Sequence, residues 1–118
     1  MVAHRIKGKK LGRKKDQRRS LLRSLVRELV INERISTTEA KGKDARRLFE
    51  KLISYGKIGD LHNRRLALSA LPDEVVVRKI FTDLAPKYAT RPGGYVRLIK
   101  LEPRKGDAAN MTLLELVE

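Results

Sequence analysis

The stretch RISTTEAKGKDARRLFEKLISYGK, residues 34–57, joins two kinds of local structure with no linker between them. Its first five residues, Arg34 to Thr38, are rich in β-branched side chains, which predicts a short strand. Beyond them Ala45, Leu48, Phe49, Leu52 and Ile53 recur at three- and four-residue spacing, the period of a helix with one buried face. Ser36 followed three positions later by Glu39 has the form of a capping box, and Gly56 and Gly59 offer stop signals. The helix is therefore predicted from about Glu39 to Lys57. A strand feeding directly into an amphipathic helix points to a mixed architecture.

Toward the N-terminus, Leu21, Leu25 and Leu29 fall on one stripe with Leu22, Val26 and Val30 beside it, while Arg19, Arg23 and Arg27 lie away from it. This predicts a helix that Asp16 caps and that ends near Asn32. Toward the C-terminus, Asp60 caps a third helix containing Leu61, Ala67, Leu68 and Leu71, which Pro72 ends. Asp73 caps a fourth containing Val76, Val77, Ile80, Phe81 and Leu84, which Pro86 closes because the residue before a proline avoids the helical region. Residues 87–94 read as a loop, with Pro92, Gly93 and Gly94 as punctuation. Tyr95 to Leu101 and Met111 to Val117 read as two strands of a hairpin with a long basic loop.

The predicted fold class is α+β with two layers. Its order is helix, strand, three helices and two strands, the helices packing on one face of a small mixed sheet. No internal repeat is apparent. At 118 residues and 41% apolar content the chain makes one modest core. Its division is predicted as a basic, extended tail over residues 1–17 and one globular domain over residues 18–118.

Charge is the strongest chemical signal. Twenty-eight Lys and Arg stand against fourteen Asp and Glu, for a net charge of +14. Residues 1–20 carry nine of the cations, Arg5, Lys7, Lys9, Lys10, Arg13, Lys14, Lys15, Arg18 and Arg19, against the single acid Asp16. Such a segment repels itself and has too little apolar surface to offset its ordering entropy, so it is predicted to order only when a polyanion supplies the missing charge. If about eight phosphate contacts form, the logarithmic salt slope of binding is near −6 to −7.

Arg18, Arg19 and Arg23 carry the positive surface from the tail onto the first helix, where Arg23 reads equally well as part of a solvated face. In GDLHNRR, residues 59–65, the cations Arg64 and Arg65 and the imidazole of His62 fall near a helix N-terminus, which favours anions; the alternative is an Asp cap with surface charges. Around the glycine pair, Arg91, Gly93, Gly94, Tyr95 and Arg97 suit close approach to a nucleic-acid strand, with Tyr95 stacking on a base or packing on a ribose. Pro-Gly-Gly before a strand is also ordinary turn chemistry. Arg104 and Lys105 extend the positive surface into the hairpin loop.

The sequence excludes several classes. Without cysteine there is neither a disulfide nor a thiolate metal site. Asp60 and His62, two residues apart, diverge on a helix, and neither a Walker loop nor a paired-carboxylate metal pattern is present. The chain is predicted to be no enzyme and to need no cofactor or metal. No segment has the 18 or so apolar residues of a membrane span, and a cytoplasmic location follows unless an organellar presequence has been removed.

Several segments read together carry a resemblance: KKLGRKKDQRRSLLRSL (residues 9–25), RISTTEAKGKDARRL (34–48), KIGDLHNRR (57–65), APKY (85–88), RPGGYVRLIKL (91–101), RKGDAANM (104–111) and the final LELVE. In this order they resemble the bacterial large-subunit ribosomal protein 17 family across nearly the whole chain. Gln17, Ser24, Val96 and Asn110 stand where that family pattern usually has His, Asn, Thr and Pro.

The resemblance implies a structural constituent of the large ribosomal subunit, bound to 23S ribosomal RNA near the outer end of the nascent-chain exit tunnel. Its partners would be that RNA and neighbouring large-subunit proteins, with no small-molecule substrate and no membrane insertion. RNA contact is implied for the tail, for His62, Arg64 and Arg65, and for the Arg91 to Arg97 region. Two other readings of the same charge remain. One is a DNA-binding architectural protein whose helix near Leu61 enters a groove. The other is a cationic membrane-surface protein, disfavoured because the first helix has neither Trp nor Phe on its apolar stripe.

Overall fold

The computed structural model describes residues 14–118, and the tail cations Arg5, Lys7, Lys9, Lys10 and Arg13 lie outside the described residues. Helix α1 spans Lys15–Asn32 and strand β1 Arg34–Thr38. Helix α2 spans Glu39–Ile58 and α3 Leu61–Ala70. A last helical rod is built from α4 (Glu74–Lys79), a π turn (Ile80–Leu84) and α5 (Ala85–Lys87). Strands β2 (Val96–Lys100) and β3 (Met111–Leu116) complete the chain. The α+β class and the element order are as the sequence predicts.

The sheet order is β1-β3-β2, and both pairings are antiparallel, with Ile35 opposite Leu114 and Leu98 opposite Leu114. The expected mixed sheet is thus corrected. The last strand inserts between the other two, so the parallel strands β1 and β2 never touch. Period-two alternation turns Ile35, Thr37, Thr112, Leu114, Leu116 and Val96 inward against the helices. The core joins these to Val26, Leu29 and Val30 of α1, Phe49, Leu52 and Ile53 of α2, and Val76, Val77 and Ile80 of the last rod. Gly42 lets α2 approach the sheet closely: a Cβ there would lie 2.7 Å from Thr112 Cγ2 and 2.9 Å from Leu114 Cδ1.

The helix ends divide into those set locally and those set by the fold. Asp60 accepts from the Asn63 amide at 2.8 Å and Asp73 from the Val76 amide at 3.2 Å, so both predicted caps are present. Gly59 closes α2 in the left-handed region at φ 73°. At α1, however, the N-cap is Lys14, and Asp16 stands in the first turn. The Ser36–Glu39 capping box is not made either. Ser36 is paired with Leu113 inside the sheet, and Thr38 is the N-cap of α2.

Pro86 does not end the last rod. The Ala85 amide reaches back five residues to the Ile80 carbonyl, and the widened turn relieves the clash that a proline ring makes with the carbonyl four residues earlier. The Tyr88 amide then bonds the Leu84 carbonyl at 3.1 Å. This carries Tyr88 into the core, where its hydroxyl donates to the Val117 carbonyl. Burial raises the Tyr88 phenol above its ordinary pKa, and the Glu33 carboxylate adds to the rise.

Candidate nucleic-acid interface

The fold sorts the predicted cations into those engaged with the protein itself and those left to solvent. Arg23 belongs to the first group: its Nε donates to the Ala70 carbonyl at 3.0 Å, and Nη2 to the Ser69 carbonyl at 3.2 Å. It thereby satisfies the orphan carbonyls at the C-terminus of α3. Arg27 lies 2.8 Å from Asp73, whose carboxyl the Val76 amide first and this cation second hold below the usual range. Lys79 donates to the Val30 carbonyl at 2.8 Å and so caps the end of α1.

Arg64 bridges to Glu74 at 3.1 Å and lies over the Phe81 ring, 5.6 Å from its centroid. It ties α3 to the last rod rather than facing outward alone. Its neighbours His62 and Arg65 are exposed. The anion-binding reading of the α3 N-terminus is weakened by Asp60. That carboxylate already occupies the Asn63 side-chain amide and backbone amide, at 2.6 and 2.8 Å, and these bonds lower its pKa below the ordinary value.

Tyr95 is a correction. It is 4% exposed, its ring packs on Tyr88 at 5.1 Å between centroids, and Lys57 lies over it at 4.6 Å. Its hydroxyl donates to the Arg91 carbonyl at 3.1 Å, and Lys57 donates to the same carbonyl. No face of the ring is open to a base, so Tyr95 is a core residue that anchors the loop. Around it Arg91 and Gly94 remain exposed, and a Cβ at Gly93 or Gly94 would meet nothing within 4 Å. Gly94 is needed for its φ of 66°, whereas Gly93 has an ordinary φ.

On the hairpin, Arg97 pairs across the strands with Glu115 at 3.6 Å. Arg104 grips Asp107 with two bonds, Nε–Oδ1 at 3.1 Å and Nη2–Oδ2 at 2.6 Å. These bonds pull the Asp107 carboxyl down to about 2, with the Ala109 amide contributing. Beside this staple Lys105 is exposed, with no hydrogen bond or ion pair from its side chain among the described residues.

Along α1 the side chains of Lys14, Lys15 and Arg19 likewise reach solvent unpaired among the described residues. Arg18 differs: it falls four residues before Leu22 on the core-facing stripe, and its Nη1 is buried without a partner. The sequence reading also left out a row on α2. Lys43, Arg47 and Lys51 are all exposed, and their four-residue spacing puts them one above another, about 6 Å apart along the axis. Lys43 and Arg47 hold only loose pairs, to Glu39 at 3.3 Å and to Asp44 at 3.5 Å. That spacing was the available signal.

Five of the 28 cations precede residue 14, which leaves 23 against all fourteen acids over the described residues. The surface they make is strongly positive and without deep enclosure, suited to an extended polyanion rather than to a small substrate. Among the described residues there is no group of three His, Cys, Asp or Glu able to hold a metal ion, and no helix long and apolar enough to cross a membrane.

Comparison with known proteins gives one family. The model of "Ribosomal protein L17" matches residues 21–117. The chain is 54% identical over 109 residues to the large ribosomal subunit protein bL17 of Caldanaerobacter subterraneus subsp. tengcongensis, covering 92% of this chain and 97% of that one. It is 54% identical over 111 residues to bL17 of Clostridioides difficile, covering 94% and 98%. With bL17 of Pelobacter propionicus it shares 46% over 117 residues, covering 99% and 92%. The chain belongs to the ribosomal protein L17 family.

Proposed function

We propose that this protein is a non-catalytic structural constituent of the large ribosomal subunit that binds 23S ribosomal RNA through phosphate contacts near the outer end of the nascent-chain exit tunnel. Family membership over residues 21–117 is the observation that carries this reading. The chemistry agrees with it, since a net charge of +14 and exposed cations such as Lys15, Arg19 and Lys105, unpaired among the described residues, favour phosphate. RNA shape rather than a base code would supply most of the specificity, because the one tyrosine near the glycine pair is buried.

In this reading the basic arm, expected over residues 1–17, runs only as far as Lys14 because α1 begins at Lys15, and it orders between RNA helices. Lys15, Arg19, His62, Arg65, Arg91 and Lys105 supply contacts from the folded body, with Gly93 and Gly94 allowing the RNA strand to come close. Arg23, Arg64, Arg97 and Arg104 act chiefly by holding the elements that present the others, with any outward hydrogen-bonding capacity added to that. Neighbouring large-subunit proteins cover the remaining surface.

The test is the salt dependence of binding to 23S RNA for the full chain and for the variant with Lys9, Lys10, Arg13 and Lys14 all changed to Ala. The logarithmic slope should flatten by about three, at roughly 0.7 to 0.9 per lost phosphate contact, while the thermal midpoint stays put. An unchanged slope would remove the arm from the mechanism. Equal affinity for duplex DNA and structured RNA would favour the architectural DNA-binding reading instead.

A further inference from the structure

The chain has one pair of consecutive glycines, Gly93 and Gly94, and glycine loses more backbone freedom on ordering than any other residue. The loop that holds the pair is nevertheless fixed, and it is fixed from behind by Lys57 in the last turn of α2. The Arg91 carbonyl accepts from two donors, the Lys57 ammonium and the Tyr95 hydroxyl, the latter at 3.1 Å, so both lone pairs of that oxygen are used. The same ammonium lies 4.6 Å from the centroid of the buried Tyr95 ring, a cation–π contact that steadies it there. The Arg91 amide donates to the Tyr88 carbonyl at 3.0 Å, and the Arg91 guanidinium reaches the Gly94 carbonyl at 3.4 Å. The front of the loop is open. Arg91 and Gly94 are exposed, and the Gly93 and Gly94 amides have no hydrogen-bond partner among the described residues.

We propose that Lys57 is a positioning residue for RNA binding: it touches no phosphate itself, and it sets the Arg91–Gly94 loop before the RNA arrives, so that the Arg91 guanidinium and the two free glycine amides are already in place. A direct phosphate contact would require the ammonium to leave both the carbonyl and the ring. Nor does Lys57 act as a helix cap in the manner of Arg23 and Lys79, because the carbonyl it bonds lies in a loop 34 residues further along the chain. Holding a loop in its bound shape raises affinity by removing an ordering cost from the binding step. The gain comes without a counterion released, and so it leaves the salt dependence of binding where it was. A cation that contributes to affinity and not to the salt slope is the signature of this role.

This inference rests on the RNA-binding reading, and the experiment separates the two. Binding to 23S ribosomal RNA is measured over a range of salt for the full chain and for Lys57→Met, Lys57→Arg, Arg91→Ala and Gly42→Ala, the last a control for general loosening of the core. Lys57→Met keeps the length of the side chain and removes its donor. It should lower affinity about tenfold at every salt concentration, roughly the worth of fixing one residue's backbone, with the slope unchanged, whereas Arg91→Ala should reduce the slope by about one. Lys57→Arg should recover most of the loss, and Gly42→Ala should bind as the unaltered chain does. In the RNA-free protein, Lys57→Met should raise the mobility of the Gly93 and Gly94 amides, read by NMR relaxation. A slope reduced by about one in Lys57→Met would make Lys57 a phosphate contact. Unchanged affinity, unchanged mobility of the two glycines, or an equal loss in Gly42→Ala would leave Lys57 with stability alone; each of these overturns the positioning role and leaves RNA binding standing. A full chain with no preference for 23S RNA over duplex DNA would overturn both readings.

Discussion

Arg23 donates to the carbonyl of Ala70 at 3.0 Å across 47 residues of sequence, so a cation that looks like part of an RNA-facing stripe is a cap for another helix. This predicts a division of labour on α1. Arg23→Ala should lower stability by about 1 kcal/mol, the usual worth of a part-exposed hydrogen bond, and barely change the salt slope of RNA binding. Arg19→Ala should do the reverse, reducing the slope by about one contact with the urea midpoint unchanged.

Gly42 predicts a packing effect. In Gly42→Ala the new methyl would sit 2.7 Å from Thr112 Cγ2 and 2.9 Å from Leu114 Cδ1, and α2 must move off the sheet to admit it. The cost should be about 1 to 3 kcal/mol, read as a lower denaturation midpoint with unchanged m-value.

How much was legible in the sequence follows a physical line. The caps at Asp60 and Asp73 were readable because each carboxylate meets an amide three residues on, a contact fixed by the local chain. The cap expected of Ser36 failed because β3 draws that residue into the sheet opposite Leu113, whereas α1 has its N-cap two residues earlier than expected, at Lys14, leaving Asp16 inside its first turn. Continuation past Pro86 depends on one five-residue hydrogen bond that no local pattern announces. For the candidate interface, sequence showed the sign of the surface but not which cations face outward. The partners of Arg23, Arg27 and Lys79 lie 46 to 49 residues away, and only the packed fold brings them together. Tyr95 was misread for the same reason: its burial depends on Tyr88, which reaches it only through the turn before Pro86.

Ala108 has a φ of 57°, a left-handed conformation that a Cβ disfavours. Ala108→Gly should therefore stabilise by about 0.5 kcal/mol after glycine's own entropic cost. Urea unfolding would show the gain, and a loss would mean that the loop is held by other forces.

Asp107 gives a pH prediction. Its carboxyl is depressed from 3.8 to about 2 by Arg104, so the staple is in place above 3.8 and is lost as pH falls through about 2. NMR titration should place the midpoint near 2 and return it toward 3.8 in Arg104→Ala. A midpoint near 3.8 in the unaltered chain would show that the two side chains do not pair in solution.

The measurement that bears most directly on the account is sucrose-gradient sedimentation of a tagged copy from cells, repeated at low magnesium to part the subunits and in moderate salt to strip loose binders. The account predicts stoichiometric migration with the large subunit under all of these conditions. Absence from that peak, with the protein instead in nucleoid or membrane fractions, would contradict it.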